Sequence, residues 1–244
     1  MRLTQRLQLV RSPNERHSLA AAERRHLPVR APTEEEVQFY HQRLDALANL
    51  MYDAPFCWYL EGGHVLPLRL GEFARQHADI DMGIYKHELI DAVDFFKDKG
   101  YGLFYRNYNL VPLEDTPWDL FETTDINQIR ERPLKRLYAM KVQKDGTIDE
   151  DETMLREIDM HVHVRDGNHV YASKEMFPLP SAWFEDTLPY QYNGSPAIDV
   201  GGLKVFYYFK LGGGRPRHVF DRTLIEERGL LTPDEIAEVK AFRI

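Results

Sequence analysis

Apolar positions three and four apart first appear at Val37, Tyr40, Leu44, Leu47 and Met51, one face of an amphipathic helix. Thr33 followed by Glu36 has capping-box spacing: the hydroxyl can accept from an early helix N–H and the glutamate can reach back, so the helix starts there. Pro55 places its end near Tyr52. The period then changes. Phe56 to Leu60 is a compact apolar run that reads as a buried strand, broken by Glu61-Gly62-Gly63. Residues 64–70 suit a short helix, with Pro67 tolerable only in its first turn. Ile80 to Ile84 reads as a second strand, residues 86–98 as a helix through Leu89, Ile90, Val93 and Phe96 closed by Gly100, and Tyr101 to Tyr105 as a third strand.

Residues 107–133 carry no clear period, whereas Leu134 to Gln143 and Glu157 to Val164 alternate like strands. Asp166-Gly167, between Val164 and Val170, is a two-residue hairpin signal. A looser, Pro-rich stretch runs to Pro196. Helical patterns follow over Leu203–Leu211, over Val219–Arg228, and from Thr232, with Pro233 at the first helical position and Glu235 at the third. This order predicts an α+β fold: a small mixed β-sheet flanked by helices, then a helical C-terminal part. The chain divides into an N-terminal extension (1–32), a core (33–172) and a mainly helical region (173–244).

Composition narrows the function classes. With 43% hydrophobic and 29% charged residues over 244 positions, the chain has enough apolar material for a folded core. Its 31 basic and 39 acidic residues leave a net charge of −8, which argues against a broad phosphate-gripping surface and so against long nucleic acid as partner. The single cysteine, Cys57, excludes an intramolecular disulfide and a multi-cysteine zinc site. It fits a reducing compartment, and a cytoplasmic location is expected. No apolar run approaches the ~20 residues that span a bilayer, so no membrane association is expected. Residues 1–30 carry seven Arg against two Glu. That bias is found in organelle transit peptides, but Pro13, Pro28 and the two Glu suit one poorly, and an extension particular to the family is the plainer reading.

The chemistry concentrates in residues 58–84: strand, diglycine turn, short helix, then a strand with Asp79-Ile80-Asp81. Strand side chains alternate, so Asp79 and Asp81 share a face while Ile80 and Met82 bury the other. Two crowded carboxylates repel unless a cation sits between them, and hard oxygen ligands of this kind suit Mg²⁺. Gly62-Gly63 before a helix allows backbone N–H groups to approach an anion. A third carboxylate comes from Glu157-Ile158-Asp159-Met160-His161-Val162-His163-Val164, whose polar residues share one face; Asp159, central in the strand, is the choice. His161 and His163 with Asp159 suggest either a transition-metal site or a polar strand face; the strand face is the commoner explanation, since nothing else in the sequence supplies a fixed third nitrogen or sulfur ligand. Gly212-Gly213-Gly214 lacks the flanking residues of a P-loop and reads as a helix break; Phe206, Tyr207, Tyr208 and Phe209 read as packing residues.

Taken together, Gly62-Gly63, Gly71, Arg75, His77 and Asp79-x-Asp81 resemble the nucleotidyltransferase superfamily of the polymerase-beta type. The resemblance is to its small-molecule branch, the aminoglycoside and lincosamide nucleotidyltransferases. Asp159-Met160-His161 is similar to that branch's later Asp-x-His step, and Lys210 with Gly214-Arg215-Pro216-Arg217-His218-Val219-Phe220-Asp221 to its late Lys and Gly-Arg-Pro turn, at altered spacing. The resemblance covers about residues 56–228. It implies a nucleotidyltransferase fold and Mg²⁺-dependent transfer of a nucleoside monophosphate from an NTP, ATP by family habit, to a hydroxyl of a small molecule, with pyrophosphate leaving. It implies two Mg²⁺ ions held by Asp79, Asp81 and Asp159, with Asp159 as metal ligand, general base or both. Gly62 and Gly63, helped by Arg75 and Lys210, would hold the β- and γ-phosphates; Arg75 pairs with either a phosphate or a carboxylate, and His77 orients. Two rivals remain at this point: a toxin-type transferase modifying a protein or RNA, and a catalytically silent nucleotide-binding module.

Overall fold

The computed structural model describes residues 29–77, 79–106, 118–121, 136–149, 152, 154–172 and 178–243. The Arg-rich leader to residue 28, most of the stretch 107–133, residues 134 and 135, and Glu150 and Asp151 of the acidic run 149–152 lie outside them. Within that run, Glu152 accepts hydrogen bonds from the backbone N–H groups of Met154 and Leu155.

Helix α1 (Glu34–Leu50) begins where the capping box places it. Thr33 accepts from the Glu36 N–H, and the Glu36 carboxylate accepts from the Thr33 N–H. Its apolar face buries Tyr40, Leu44 and Leu47. Strand β1 (Trp58–Glu61) starts two residues later than the apolar run suggests and takes in Glu61. A 3₁₀ turn over Gly62–His64 leads into α2 (Val65–Leu70), and β2 spans Ile80–Tyr85. The expected helix over 86–98 is a 3₁₀ turn at Lys86–Glu88 followed by α3 (Leu89–Asp98). Ile90, expected on its buried face, is 53% exposed; Leu89, Ala92, Val93 and Phe96 form the inward stripe.

Next come β3 (Tyr101–Arg106), β4 (Trp118–Leu120), β5 (Arg136–Lys141), β6 (Glu157–Asp166) and β7 (His169–Tyr171). The β6–β7 hairpin is displaced by one residue from the sequence reading. Asp166 pairs with His169, so the loop is Gly167-Asn168, with Gly167 at a φ of +57° that a side chain would resist. The Pro-rich stretch carries more regular structure than its composition suggests: β8 (Leu179–Pro180), α4 (Ser181–Glu185), β9 (Leu188–Tyr190) and β10 (Ile198–Val200). Short edge pairings of this kind are set by tertiary contact and leave no periodic signal. Helices α5 (Leu203–Leu211), α6 (Pro216–Glu227) and α7 (Pro233–Ala241) complete the fold. α6 begins three residues ahead of Val219 because Pro216 takes the first helical position. The α7 capping box of Thr232 and Glu235 is formed, and Thr232→Ala should lower unfolding free energy by about 1 kcal/mol, read from urea midpoints.

The sheet is mixed, as expected, and has ten strands among the described residues. Its order is β4-β3-β5-β6-β2-β1-β10-β9, with β7 beside the end of β6 and β8 beside β7. β2 and β6 run parallel in register, Ile80 opposite Ile158 and Met82 opposite Met160; β1 lies antiparallel to β2 and parallel to β10. One face of this trio (Leu60, Ile80, Met82, Ile84, Ile158, Met160) is sealed from solvent and shares one core with Leu44 and Leu47 of α1 and Phe96 of α3. By strand alternation the opposite face carries Glu61, Asp81, Asp159, His161 and His163. Among the described residues, no helix is long and apolar enough to cross a membrane.

Candidate active site

Pairing across three strands sets one polar row. Glu61 on β1 is opposite Asp81 on β2, and Asp81 is opposite Asp159 on β6. The row opens on a cleft of ≈ 1090 Å³ whose other walls come from α1, α5 and the start of α6. Asp79, just ahead of β2, lines the same cleft and is exposed to it. Among the described residues, the ligand atoms that draw within 4.8 Å of one another belong to Asp81, Asp159 and His161. Asp79 stands outside that group.

Each carboxylate is held differently. Asp81 accepts from the Gly63 N–H at 3.3 Å. Gly62 has φ +62°, and a Cβ there would overlap the Asp81 carboxylate. The diglycine turn is thus shaped around Asp81. Gly62→Ala should lower stability by more than about 1 kcal/mol and push Asp81 out of place; an unchanged urea midpoint would contradict this close approach. Asp159 takes Arg136 Nη1 on Oδ2 at 2.9 Å, while its Oδ1 is buried without a partner.

The charges separate these groups. For Asp81, burial opposes ionisation, but His161, Arg136, Lys210 and the Gly63 N–H overcome it and hold the carboxyl below its usual range. Asp79 is raised, first by the neighbouring Asp81 charge and then by burial. Asp159 is pushed up to about 6, chiefly by burial, against the pull of His161 and Arg136. A carboxyl near neutrality in a cleft can hold or release a proton at working pH.

Three side chains that the sequence reading passed over shape the site. Glu61, read there as a strand breaker, lies between two imidazoles: His161 Nδ1 at 2.7 Å and His163 Nε2 at 2.8 Å. Burial disfavours its charge, yet the two histidines hold it below the ordinary carboxylate range. Continuing the alternation of β1 one residue past Leu60 would have found it. Arg136, at the start of β5, pairs with Asp159. His64, buried after the diglycine, faces His77 with ring centroids 5.1 Å apart.

His64 is 0% exposed, and neither of its ring nitrogens has a hydrogen-bond partner; the same holds for both nitrogens of His77. Burial, then nearby Arg43, lowers His64 to about 4, and His77 falls well below its usual value for the same first reason. Below pH 6.5 the unfolded chain binds a proton that folded His64 refuses until about pH 4. Stability therefore falls as pH drops through that window, by up to about 3 kcal/mol for His64 alone. Asp159, with its raised value, acts in the opposite sense between about pH 4 and 6. His64→Leu should shrink the gap between urea midpoints at pH 7 and pH 5, isolating the histidine; an unaltered gap would contradict a neutral buried ring.

Of the residues expected on the phosphate side, Gly62 and Gly63 sit against Asp81, while Arg75 and Lys210 line the same cleft. The Arg75 guanidinium is already engaged: Nε and Nη2 grip Asp221 of α6 at 2.6 and 2.9 Å, and Nη1 donates to the Gln76 carbonyl. Of the two partners considered for Arg75, the carboxylate is the one in contact. Lys210 Nζ lies 3.7 Å from Asp221 and 4.5 Å from the Phe206 ring centroid, and burial lowers it to about 8. Gly212 caps α5, Phe206, Tyr207 and Tyr208 are packed, and Arg217 lines the cleft beside the N-terminus of α6.

Among the solved structures to which this chain is similar are antibiotic nucleotidyltransferases. One is a lincosamide antibiotic adenylyltransferase, LnuA, with lincomycin bound: 13% identity over 80% of this chain and 98% of that one, TM-score 0.45. A second is ANT(2″)-Ia in complex with adenylyl-2″-tobramycin: 12% identity, 85% and 97% covered, TM-score 0.49. A third is an antigenic nucleotidyltransferase-like protein from Paracoccidioides brasiliensis: 11% identity, 87% and 88% covered, TM-score 0.40. No protein-family model matches the chain, and no curated protein does.

Proposed function

We propose that this protein transfers a nucleoside monophosphate from an NTP, ATP in the first instance, to a hydroxyl of a small molecule, releasing pyrophosphate. The observation that carries the reading is the register of Asp81 against Asp159 beside the diglycine turn, with Asp159 Oδ1 buried and unpartnered. An orphaned buried carboxylate oxygen next to a second carboxylate is stable only with a cation or a proton, so the donor set fits a divalent ion. Asp79, Asp81 and Asp159 are the residues that would hold it, Mg²⁺ being the ion that a carboxylate set of this kind suits. When bound, such an ion polarises phosphoryl oxygens and lowers the pKa of a hydroxyl.

The remaining work falls to the chain's own groups. Arg136 fixes Asp159 through Oδ2, so that Oδ1 is the oxygen left to meet the cation. Gly63 orients Asp81. Across the cleft, Lys210, Arg217 and the N-terminal end of α6 form the anion-attracting wall on which β- and γ-phosphates would lie. Arg75 anchors that wall by holding Asp221, next to Lys210. An acceptor of small-molecule size fits the remaining volume between α1 and α5.

The test is release of pyrophosphate from ATP, GTP, CTP or UTP by the purified full chain with divalent cation and a panel of hydroxylated small molecules. Acceptor-dependent release with one nucleotide is expected. Absence of both nucleotide binding by calorimetry and pyrophosphate release would overturn the reading.

A further inference from the structure

Three polar atoms from neighbouring strands face one another. His161 Nε2 is 3.6 Å from Asp81 Oδ1 and 3.7 Å from Asp159 Oδ1. His161 Nε2 and Asp159 Oδ1 are both buried and make no hydrogen bond. The other side of the imidazole is fixed: Nδ1 meets Glu61 Oε2 at 2.7 Å, and the second oxygen of the same carboxylate takes His163 Nε2 at 2.8 Å. An ionised carboxylate only accepts, so the contact with Glu61 puts a hydrogen on Nδ1. In the neutral ring the Nε2 lone pair is then directed at the two aspartates.

Glu61 reaches the histidines across β2, and the sequence makes room for it. Glu61 is on β1 and His161 on β6, and the residue of β2 opposite His161 is Gly83. A Cβ at Gly83 would lie 2.6 Å from the Tyr59 ring and 2.9 Å from Glu61 Cδ. Gly83 keeps open the lane by which one carboxylate clamps two imidazoles. Carboxylate–histidine pairs of this kind set the tautomer and orientation of metal-binding imidazoles.

From this geometry we infer that His161 Nε2 is itself a ligand of the divalent cation, with Glu61 as its positioning residue, and that the site therefore prefers Mn²⁺ to Mg²⁺. Mg²⁺ favours all-oxygen shells and gives up water reluctantly, whereas imidazole nitrogen suits first-row transition ions. This rests on the cation site proposed above and goes beyond it, since a site of carboxylates alone would have no reason to discriminate through nitrogen.

The test uses the full chain, Mn²⁺ alone as probe, and no substrate. Binding is followed by loss of the free-Mn²⁺ electron paramagnetic resonance signal, and the ligand type by electron spin-echo modulation of the bound ion. The wild type is expected to bind Mn²⁺ at least 10-fold more tightly than Mg²⁺ by competition, and to show directly coordinated imidazole nitrogen. His161→Gln should remove the nitrogen modulation, and Glu61→Gln should weaken Mn²⁺ about 10- to 100-fold. Bound Mn²⁺ with no nitrogen modulation in the wild type would overturn His161 as a ligand while leaving the carboxylate site standing. No Mn²⁺ binding at all would overturn both. The wild-type spectrum decides the point even where a variant fails to fold.

Discussion

Asp81→Asn should reduce nucleotide transfer by roughly 10³-fold or more, a loss of about 4 kcal/mol of transition-state stabilisation, with little change in stability. The physical reason lies in the strand register. Asp81 stands between Glu61 and Asp159 in one row and is one of the three residues whose ligand atoms draw together. An asparagine of nearly the same shape keeps an oxygen to accept the Gly63 N–H but loses the charge that balances a cation. It also removes a repulsion that raises both Asp79 and Asp159. The expected result is therefore an inactive protein with an unfolding midpoint equal to or above that of the wild type. Pyrophosphate release and urea unfolding, measured on the same preparation, check both halves. Activity within 10-fold of wild type would sink the assignment of Asp81.

Asp221→Leu is expected to be the most damaging single change to stability, about 3–5 kcal/mol, because it leaves a buried guanidinium without its partner. Asp221 is fully buried on α6, and Arg75 reaches it from the loop before β2 with two parallel bonds at 2.6 and 2.9 Å. That fork ties the segment leading into the Asp-x-Asp strand to the helix carrying the cationic wall. Replacing both partners with apolar residues of similar bulk, Arg75→Met with Asp221→Leu, should recover most of the loss, since neither desolvated charge then remains. Lys210, 3.7 Å from Asp221, loses its local counter-charge in both variants. Phosphate-side binding should therefore stay impaired in the double variant even as stability returns. Urea midpoints and nucleotide affinity separate the two effects; a single variant as stable as the wild type would show that the pair holds nothing together.

Local pattern was sufficient wherever the physics is local. Both capping boxes, at Thr33 with Glu36 and at Thr232 with Glu235, are formed as their spacing dictates, since a cap needs only neighbours along the chain. Period-two alternation correctly put Asp81 and Asp159 on one face and Ile80, Met82, Ile158 and Met160 on the other. Alternation failed at strand ends. β1 runs one residue further than its apolar run, which hid Glu61, and the β6–β7 loop lies one residue beyond the Asp-Gly signal. The strands β8 to β10 are two or three residues each, too short to show a period.

The amino-acid order by itself determined which groups carry chemistry: a diglycine before an Asp-x-Asp strand, and a later strand with Asp159 and two histidines on one face. It did so because side-chain direction in a strand depends only on position along it. Which of these groups meet was decided by the tertiary structure. The parallel pairing of β2 with β6 set Asp81 against Asp159, the bare Cα of Gly83 let Glu61 cross to two imidazoles, and the docking of α6 gave Arg75 the Asp221 carboxylate as its partner. Register and docking are settled by the burial of whole faces far apart in the chain, and no local spacing encodes them.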